Sequence, residues 1–253
     1  MGILKKLSEL YNIDSNIEIK GIKINSKEIE PGDLFVCTMG VKVDRHDYIE
    51  DAINRGAAAL VVSRDNITAS VPVIKVEDTN KELPILCRKF YDDPEKKLTV
   101  IGVTGTDGKT STSTIISTLI GNDTCAYMGT NGRSYKDVKK DISNTTPDAD
   151  KIYKYFDEFQ KAGCKYVAME ASSEAFYRGR MQGLEFDVSV ITNITREHLN
   201  IHGSFENYIE CKSMLFKQTK KSGVCILNHD DSCYEQIKNI CNGKVLTYGK
   251  TED

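Results

Sequence analysis

The sequence predicts an α/β fold in two units, the second built around a mostly parallel sheet. Three features carry this reading. A short apolar run at 98–103 leads into a glycine-rich turn and then a helix-forming stretch at 110–120. Beyond it, apolar runs at 165–169, 187–192, 223–227 and 244–248 alternate with helical patterns, as in a parallel sheet flanked by helices. Before it, a separate set of short elements ends at the polar segment Asp92-Asp93-Pro94-Glu95-Lys96-Lys97, where the boundary between units 1–93 and 94–253 is placed.

In chain order, 3–11 has helical periodicity and Ile22-Lys23-Ile24 alternates like a strand. Pro31-Gly32 marks a turn before the buried strand Leu34-Phe35-Val36-Cys37. A helix at 48–55 is closed by Gly56, glycine being the usual residue for a left-handed C-terminal cap. Strands at 58–62 and 73–76 follow, then a helix at 78–91 begun or interrupted near Pro84. Further on, Tyr208 to Phe216 reads as a helix.

A chain of 253 residues with 40% hydrophobic content is long enough for one large or two ordinary domains with real cores. The net charge of −3 gives no nucleic-acid footprint. No apolar run reaches membrane-spanning length, and Met1-Gly2-Ile3-Leu4-Lys5-Lys6 lacks the core of a signal peptide. The expectation is a cytoplasmic protein, monomeric, without membrane insertion. The eight cysteines show no Cys-x-x-Cys spacing, so they read as reduced core residues and not a zinc site.

The chemistry centres on Gly105-Thr106-Asp107-Gly108-Lys109-Thr110-Ser111. Strand, glycine turn and helix start are the parts of a phosphate-binding loop: backbone N–H groups point into one concavity and the helix N-terminus adds positive potential. Lys109 would reach the β- and γ-phosphates and the Thr110 hydroxyl would meet Mg²⁺. Glu170 ends the strand Tyr166-Val167-Ala168-Met169, a place suited to Mg²⁺. Taken alone it reads as a solvent-facing strand end; the following Ala171-Ser172-Ser173 shifts it toward a crowded polar site. His198 lies past the strand Val188-Ser189-Val190-Ile191, where metal contact is possible. Residue chemistry alone makes Lys212 a surface lysine. Ser143-Asn144-Thr145-Thr146-Pro147-Asp148 is either a helix start or a polar loop gripping an anionic or sugar substrate. Arg178 and Arg180 are either carboxylate or phosphate ligands or a solvated charged face.

The loop variant Gly-Thr-Asp-Gly-Lys-Thr resembles that of the Mur ligases and their folylpolyglutamate synthetase relatives. Asn25-Ser26-Lys27 through Pro31-Gly32-Asp33-Leu34-Phe35-Val36, the loop itself, Asn144-Thr145-Thr146-Pro147-Asp148, and the segment 169–216 extend that resemblance over about two hundred residues. The last segment holds Met-Glu-Ala-Ser-Ser, Gly-Arg, Phe-Asp-Val, Thr-Asn-Ile-Thr-Arg-Glu-His-Leu, His-Gly-Ser and the lysine helix. Within the Mur ligases the chain is most similar to the UDP-N-acetylmuramoyl-tripeptide synthetase (MurE-like) branch.

The resemblance implies a UDP-MurNAc-binding N-terminal domain and an ATP-binding central domain. It implies an ATP-dependent ligase of peptidoglycan precursor synthesis that adds an amino acid to UDP-MurNAc-L-Ala-D-Glu through an acyl phosphate. By position, Gly105, Thr106, Asp107, Gly108, Lys109, Thr110 and Ser111 bind ATP. Thr110, Glu170, His198 and a carbamylated Lys212 hold Mg²⁺, and Lys109, Glu170, His198 and Lys212 are the catalytic set. Asn144, Thr145, Thr146, Ser172, Arg178 and Arg180 meet the UDP-MurNAc-dipeptide; Ile24, Ser26, Val41, Lys42 and Val43 lie on its uridine side. There are three departures from the pattern: Asp107 replaces an asparagine, Glu174 a histidine, and Asn25-Ser26-Lys27 an Asp-Ser-Arg. The resemblance also implies that the family's third domain, which selects the amino acid, and the end of its central domain lie outside these 253 residues, as expected of a fragment, a split product or a protein that works without that step. A non-catalytic UDP-sugar- or ATP-binding module and a folylpolyglutamate synthetase-like ligase are the alternative expectations.

Overall fold

The structure is a computed structural model that describes residues 3–40 and 43–250. The chain divides into two compact units, Met1–Asp93 and Pro94–Asp253.

In the first unit, β1 (Lys5–Lys6), α1 (Leu7–Leu10) and β2 (Glu18–Ile19) come first. Helical periodicity predicts one helix over 3–11; instead Lys5 and Lys6 pair antiparallel with Ile19 and Glu18. The helix is confined to four residues because the chain is extended on both sides of it, at Lys6 and Tyr11. Its apolar spacing still buries Leu7 and Leu10. Then follow β3 (Gly21–Lys23), β4 (Asp33–Val36), α2 (Ile49–Asn54), β5 (Ala59–Val62), β6 (Val73–Lys75) and α3 (Thr79–Tyr91). Strands β3, β4, β5 and β6 form a four-stranded parallel sheet in that order. Every residue of β4 and β5 is buried, which is why both read as continuous apolar runs and not as alternating ones. Phe35, Leu60, Val62 and Ala52 meet in the core. Asp78 caps α3 by accepting the N–H groups of Asn80 and Lys81, and Pro84 lies inside the helix without ending it.

The second unit begins with a 3₁₀ turn, Pro94–Lys97, that packs against α5 (below); Pro94 and Glu95 are buried, so this polar segment is part of the unit and not an exposed connector. Next come β7 (Thr99–Thr104), α4 (Lys109–Ile120), β8 (Cys125–Gly129), β9 (Gly132–Tyr135), β10 (Val138–Lys140) and α5 (Ala149–Lys161). They are followed by β11 (Tyr166–Glu170), α6 (Ser173–Tyr177), β12 (Phe186–Ile191), α7 (Leu199–His202) and α8 (Phe205–Lys217). The remaining elements are β13 (Thr219–Asn228), α9 (Tyr234–Lys238) and β14 (Lys244–Tyr248). The strands form an eight-stranded sheet in the order β10-β9-β8-β11-β7-β12-β13-β14. From β8 to β14 its pairings are parallel; β9 and β10 add an antiparallel edge. The meander β8–β10 is absent from the sequence reading, although Asn131-Gly132 is a hairpin signal.

Strand β7 has β11 on one side and β12 on the other. Glu170 pairs in register with Val103, and Ile191 with Thr104, so three strand ends finish at one level. The chain crosses β7 between β11 and β12, and such a change of direction opens a crevice at the carboxyl ends of the strands. No helix among the described residues is long and apolar enough to cross a membrane.

Candidate active site

The loop Gly105–Gly108 joins β7 to α4 at that crevice. Gly105 sits at φ +149°, and a Cβ there would lie 1.8 Å from the Thr192 Oγ1, so only glycine lets the loop pass beneath the exit of β12. Gly108 is left-handed, at φ +81°, and turns the chain into α4. The segment after β12 grips the loop. Thr106 N–H donates to the Asn193 carbonyl at 2.8 Å, Asp107 N–H to Asn193 Oδ1 at 3.1 Å, and the Thr192 hydroxyl to the Asp107 carbonyl at 2.5 Å. The Thr106 hydroxyl is held by the Thr195 N–H at 2.9 Å and lies 3.0 Å from the Tyr208 hydroxyl.

Lys109 curls over its own loop, with Nζ 2.9 Å from the Gly105 carbonyl and 2.7 Å from that of Thr106. Burial lowers its pKa, against the pull of the Glu170, Glu197 and Asp107 carboxylates. Thr110 donates its hydroxyl to Glu170 Oε2 at 2.9 Å. Glu170 is 1% exposed, so the solvent-facing reading of this strand end is corrected. Its carboxylate also accepts from Tyr127 Oη at 2.7 Å, Thr130 N–H at 2.8 Å and Thr130 Oγ1 at 3.1 Å. A Cβ at Gly129 would meet Glu170 Oε1 at 2.2 Å, so the strand beside the carboxylate must be bare. Burial first, and Glu170 second, push the Tyr127 hydroxyl pKa well up.

Lys212 is 1% exposed on α8, which corrects the surface-lysine reading. Its Nζ donates to the Gly105 carbonyl at 2.6 Å and lies 4.5 Å from the centre of the Tyr208 ring. Burial, and then the charge of Lys109, bring its pKa down to about 7. His198 is left-handed, at φ 55°, and starts α7. Its ring is about half exposed, with Nε2 3.5 Å from Glu197 Oε2. His202, one helical turn on, is buried; its Nε2 is 3.1 Å from Ser173 Oγ and Tyr177 and Tyr208 flank the ring. Burial first, then the charges of His198 and Lys212, lower its pKa.

In the Thr-Thr-Pro-Asp element Asp148 starts α5, as the helix-start reading has it, and Thr145 and Thr146 line the cavity. Thr145 Oγ1 is 3.0 Å from Thr130 Oγ1. Thr146 donates to the Glu170 carbonyl at 2.7 Å and accepts from Ser172 N–H at 3.1 Å. Ser172 caps α6. Arg180 donates to the Thr146 carbonyl at 3.0 Å and is 2.7 Å from Asp148, while Arg178 is 2.7 Å from Glu174. Both arginines are therefore already paired with carboxylates.

A cavity of about 630 Å³ is lined by Asp107, Lys109, Thr110, Ser111, Asn144, Glu170, Ser172, Arg180, His198 and Lys212 among others, and Arg178 is not part of its wall. That is the size of an ordinary small-molecule site. Among the described residues no three His, Cys, Asp or Glu side chains gather as a ready-made metal site. The bonded oxygens of Thr110 and Glu170 do suit Mg²⁺, which takes one or two protein oxygens beside substrate phosphates and water.

In the first unit Ile24 and Ser26 are buried and Val43 is exposed. Asn25 accepts the Lys27 N–H and starts the 3₁₀ turn Ser26–Glu28. The Ser26 hydroxyl beside Asp51 contributes most to holding that carboxyl below its usual range. Val41 and Lys42 lie outside the described residues. Tyr127, Thr130, Thr192, Asn193 and Tyr208 support the site but are not among its sequence-derived residues. The first two belong to the unread meander, and the others are supports for the loop that no spacing pattern marks.

Comparison with known proteins agrees with this geometry. Residues 103–253 match the profile of the Mur ligase middle domain, and residues 18–91 that of the Mur ligase family, catalytic domain. The UDP-N-acetylmuramoyl-L-alanyl-D-glutamate--2,6-diaminopimelate ligase of Geobacillus kaustophilus (strain HTA426) is 37% identical over 265 residues, covering 100% of this chain and 54% of that protein. UDP-N-acetylmuramyl-tripeptide synthetase 2 of Oceanobacillus iheyensis (strain DSM 14371 / CIP 107618 / JCM 11309 / KCTC 3954 / HTE831) is 37% identical over 240 residues, covering 91% and 49%. A solved UDP-N-acetylmuramoyl-L-alanyl-D-glutamate--2,6-diaminopimelate ligase superposes with a TM-score of 0.83 at 26% identity, over 99% of this chain and 53% of that one. The chain thus spans about half the length of the curated relatives it matches. The profile match across the phosphate loop, Glu170, His198 and Lys212 shows that the chain belongs to the Mur ligase family.

Proposed function

We propose that this chain carries the acceptor- and ATP-binding parts of a ligase that adds the third amino acid to UDP-MurNAc-L-Ala-D-Glu in peptidoglycan precursor synthesis. The observation that carries it is the phosphate loop with Lys109 and Thr110 opening on the same cavity as Glu170 and the buried Lys212. The unit 1–93 would bind the UDP-MurNAc end, through Ile24, Ser26 and the segment 41–43. The unit 94–253 would bind ATP at 105–111 and the dipeptide end at Asn144, Thr145, Thr146, Ser172, Arg178 and Arg180.

In the reaction, a carboxylate oxygen of the acceptor glutamate attacks the γ-phosphorus and the bond to the ADP oxygen breaks. The amine of the incoming amino acid then attacks the acyl carbon, phosphate leaves, and the amine loses a proton. Little covalent help is needed in the first step, which rests on positioning and charge neutralisation. Lys109 and the backbone N–H groups at the start of α4 would hold the phosphates, those of Thr106 and Asp107 being bonded to Asn193. Thr110 and Glu170 would hold Mg²⁺, with His198 and a carbamylated Lys212 completing the set; the ion supplies positive charge to the transferring phosphoryl group. Thr145 and Thr146, fixed to Thr130 and to the Glu170 carbonyl, would orient the acceptor. An acidic acceptor must share Arg178 with Glu174 and Arg180 with Asp148.

The test is calorimetric titration of the 253-residue chain with ATP and Mg²⁺ and, separately, with UDP-MurNAc-L-Ala-D-Glu. Saturable binding of both is expected. Binding of neither would overturn the proposal, and ligation of a folate substrate would transfer it to the folylpolyglutamate synthetase-like alternative.

A further inference from the structure

Beyond the phosphate loop, a second turn bears on the same site. Strand β13 ends at Asn228 and the chain turns through His229, Asp230 and Asp231 into α9. Asp231 reaches back across the sheet: its Oδ2 accepts the Ile194 N–H at 2.6 Å and its Oδ1 the Cys233 N–H at 2.8 Å. A carboxylate that accepts two backbone N–H groups makes charge-assisted bonds, stronger and more directional than neutral ones. Ile194 is buried, so this end of the segment cannot swing into water.

Two further groups hold the same segment from the same side. Asn228 Nδ2 donates to the Thr192 carbonyl at 2.9 Å, and the Tyr248 hydroxyl lies 2.9 Å from the Ile191 carbonyl. On the opposite side, Thr192, Asn193 and Thr195 make the bonds to Thr106 and Asp107 described above. Residues 192–195 are therefore a bridge with the phosphate loop on one bank and the β13 turn on the other. Its next residues lead to His198.

We propose that Asp231 is a positioning residue: by clamping Ile194 it fixes the bridge, and through the bridge it sets the backbone of the phosphate loop. It touches neither the loop nor the cavity wall. Its effect reaches nucleotide through Asn193 and Thr192, whose carbonyl, amide and hydroxyl groups hold Thr106 and Asp107. The inference deepens the ATP-binding reading and, for its functional arm, rests on it.

The experiment compares the full chain with Asp231→Ala and Asp231→Asn by amide hydrogen exchange and by ATP titration with Mg²⁺. Alanine removes both acceptors and asparagine keeps one. Protection at Ile194 should fall in both variants, and protection at Thr106 and Asp107 should fall with it, by about tenfold in Asp231→Ala for a loss of one to two charge-assisted bonds. Amides of β8 should keep their protection. ATP affinity should weaken in the same order, alanine more than asparagine. A purely local role would open Ile194 and leave Thr106, Asp107 and ATP affinity as in the parent, which would overturn the proposal. If Asp231→Ala does not fold, Asp231→Asn decides by the same amides. If the parent itself fails to bind ATP, the functional reading falls, and the exchange at Thr106 and Asp107 still decides whether Asp231 positions the loop.

Discussion

Lys109 and Lys212 share one acceptor: both amines donate to the Gly105 carbonyl, at 2.9 and 2.6 Å. Two ammonium groups converging on one carbonyl repel each other, and the more deeply buried one yields. Burial is the larger cause of the fall of the Lys212 pKa to about 7, and the charge of Lys109 adds to it. The arrangement places a frequently neutral amine beside the glycine loop 105–108.

A pH dependence of stability follows. The unfolded Lys212 titrates near its ordinary value of 10.5 and the folded one near 7, so between these values the unfolded chain binds more protons. Stability must then rise with pH through that window, and the cost of the buried charge is fully present below it. Lys212→Met removes the charge at similar volume. It should melt higher than the parent at pH 6, by an amount on the order of a few kcal/mol, with the advantage shrinking toward pH 10. Parallel melting curves for the two proteins across pH 6–10 that never converge would refute the shared-acceptor account.

Gly105→Ala tests the closest approach in the site. The new methyl would collide with the Thr192 Oγ1 at 1.8 Å on a backbone at φ +149°, so loop and bridge must separate. A loss of roughly 2–4 kcal/mol is expected from overpacking and backbone strain together. Urea denaturation measures it, and ATP titration on the folded variant should show no binding. A variant as stable as the parent would mean that the loop passes β12 differently.

Much of this site was legible in the sequence because glycine spacing and strand ends are local signals. The loop 105–111, the end of β11 and the helix around Lys212 follow from patterns within ten or twelve residues. What stayed hidden is non-local. Nothing near Lys212 in the sequence says that it is buried against a carbonyl 107 residues away. Tyr127 and Thr130 escaped because the meander β8–β10 is short and its strands alternate weakly, though Asn131-Gly132 marks its turn. The first helix is shorter than the periodicity predicts for a related reason. The lysines at 5 and 6 continue a helical spacing, but pairing with β2 gives their backbone other partners.

Glu170 offers a test of polar satisfaction. Its buried carboxylate accepts from Thr110, Tyr127 and Thr130, so Glu170→Gln turns an amide NH₂ toward a donor. The shape is nearly unchanged, yet at least one donor loses its acceptor. A destabilisation of about 2–3 kcal/mol by urea titration is expected, with weaker ATP binding in the presence of Mg²⁺ than in its absence. Equal stability of the two proteins would show that the Thr110 and Thr130 hydroxyls turn to accept from the new amide.

Lys109→Ala separates phosphate binding from fold. The lysine side chain covers only carbonyls of its own loop, and these can take water in its place. Melting temperature should move little, whereas ATP affinity should fall by about ten- to a hundredfold, the worth of one charge-assisted phosphate contact. The same variant relieves the like charge beside Lys212, so the Lys212 pKa should rise toward its ordinary range. Unchanged ATP affinity would reduce the loop to a turn.

The neutral Lys212 amine can add CO₂: the nitrogen lone pair attacks the carbon, a proton leaves, and an N-carboxylate replaces an ammonium. The exchange of charge suits a cavity that Lys212 lines together with Thr110 and Glu170, where an anion would help hold Mg²⁺ and a cation would oppose it. Burial favours the reaction by keeping the amine deprotonated, and the charge of Lys109 favours it further. The prediction is a carbamate resonance in ¹³C NMR of the chain equilibrated with labelled bicarbonate, absent from Lys212→Ala. The signal should strengthen as pH rises through 7, where the amine loses its proton. It should weaken again at higher pH, where dissolved CO₂ gives way to bicarbonate and carbonate. A resonance that persists in Lys212→Ala, or none in the parent at any pH, would remove carbamylation from the mechanism and leave Lys212 as a structural donor to the loop.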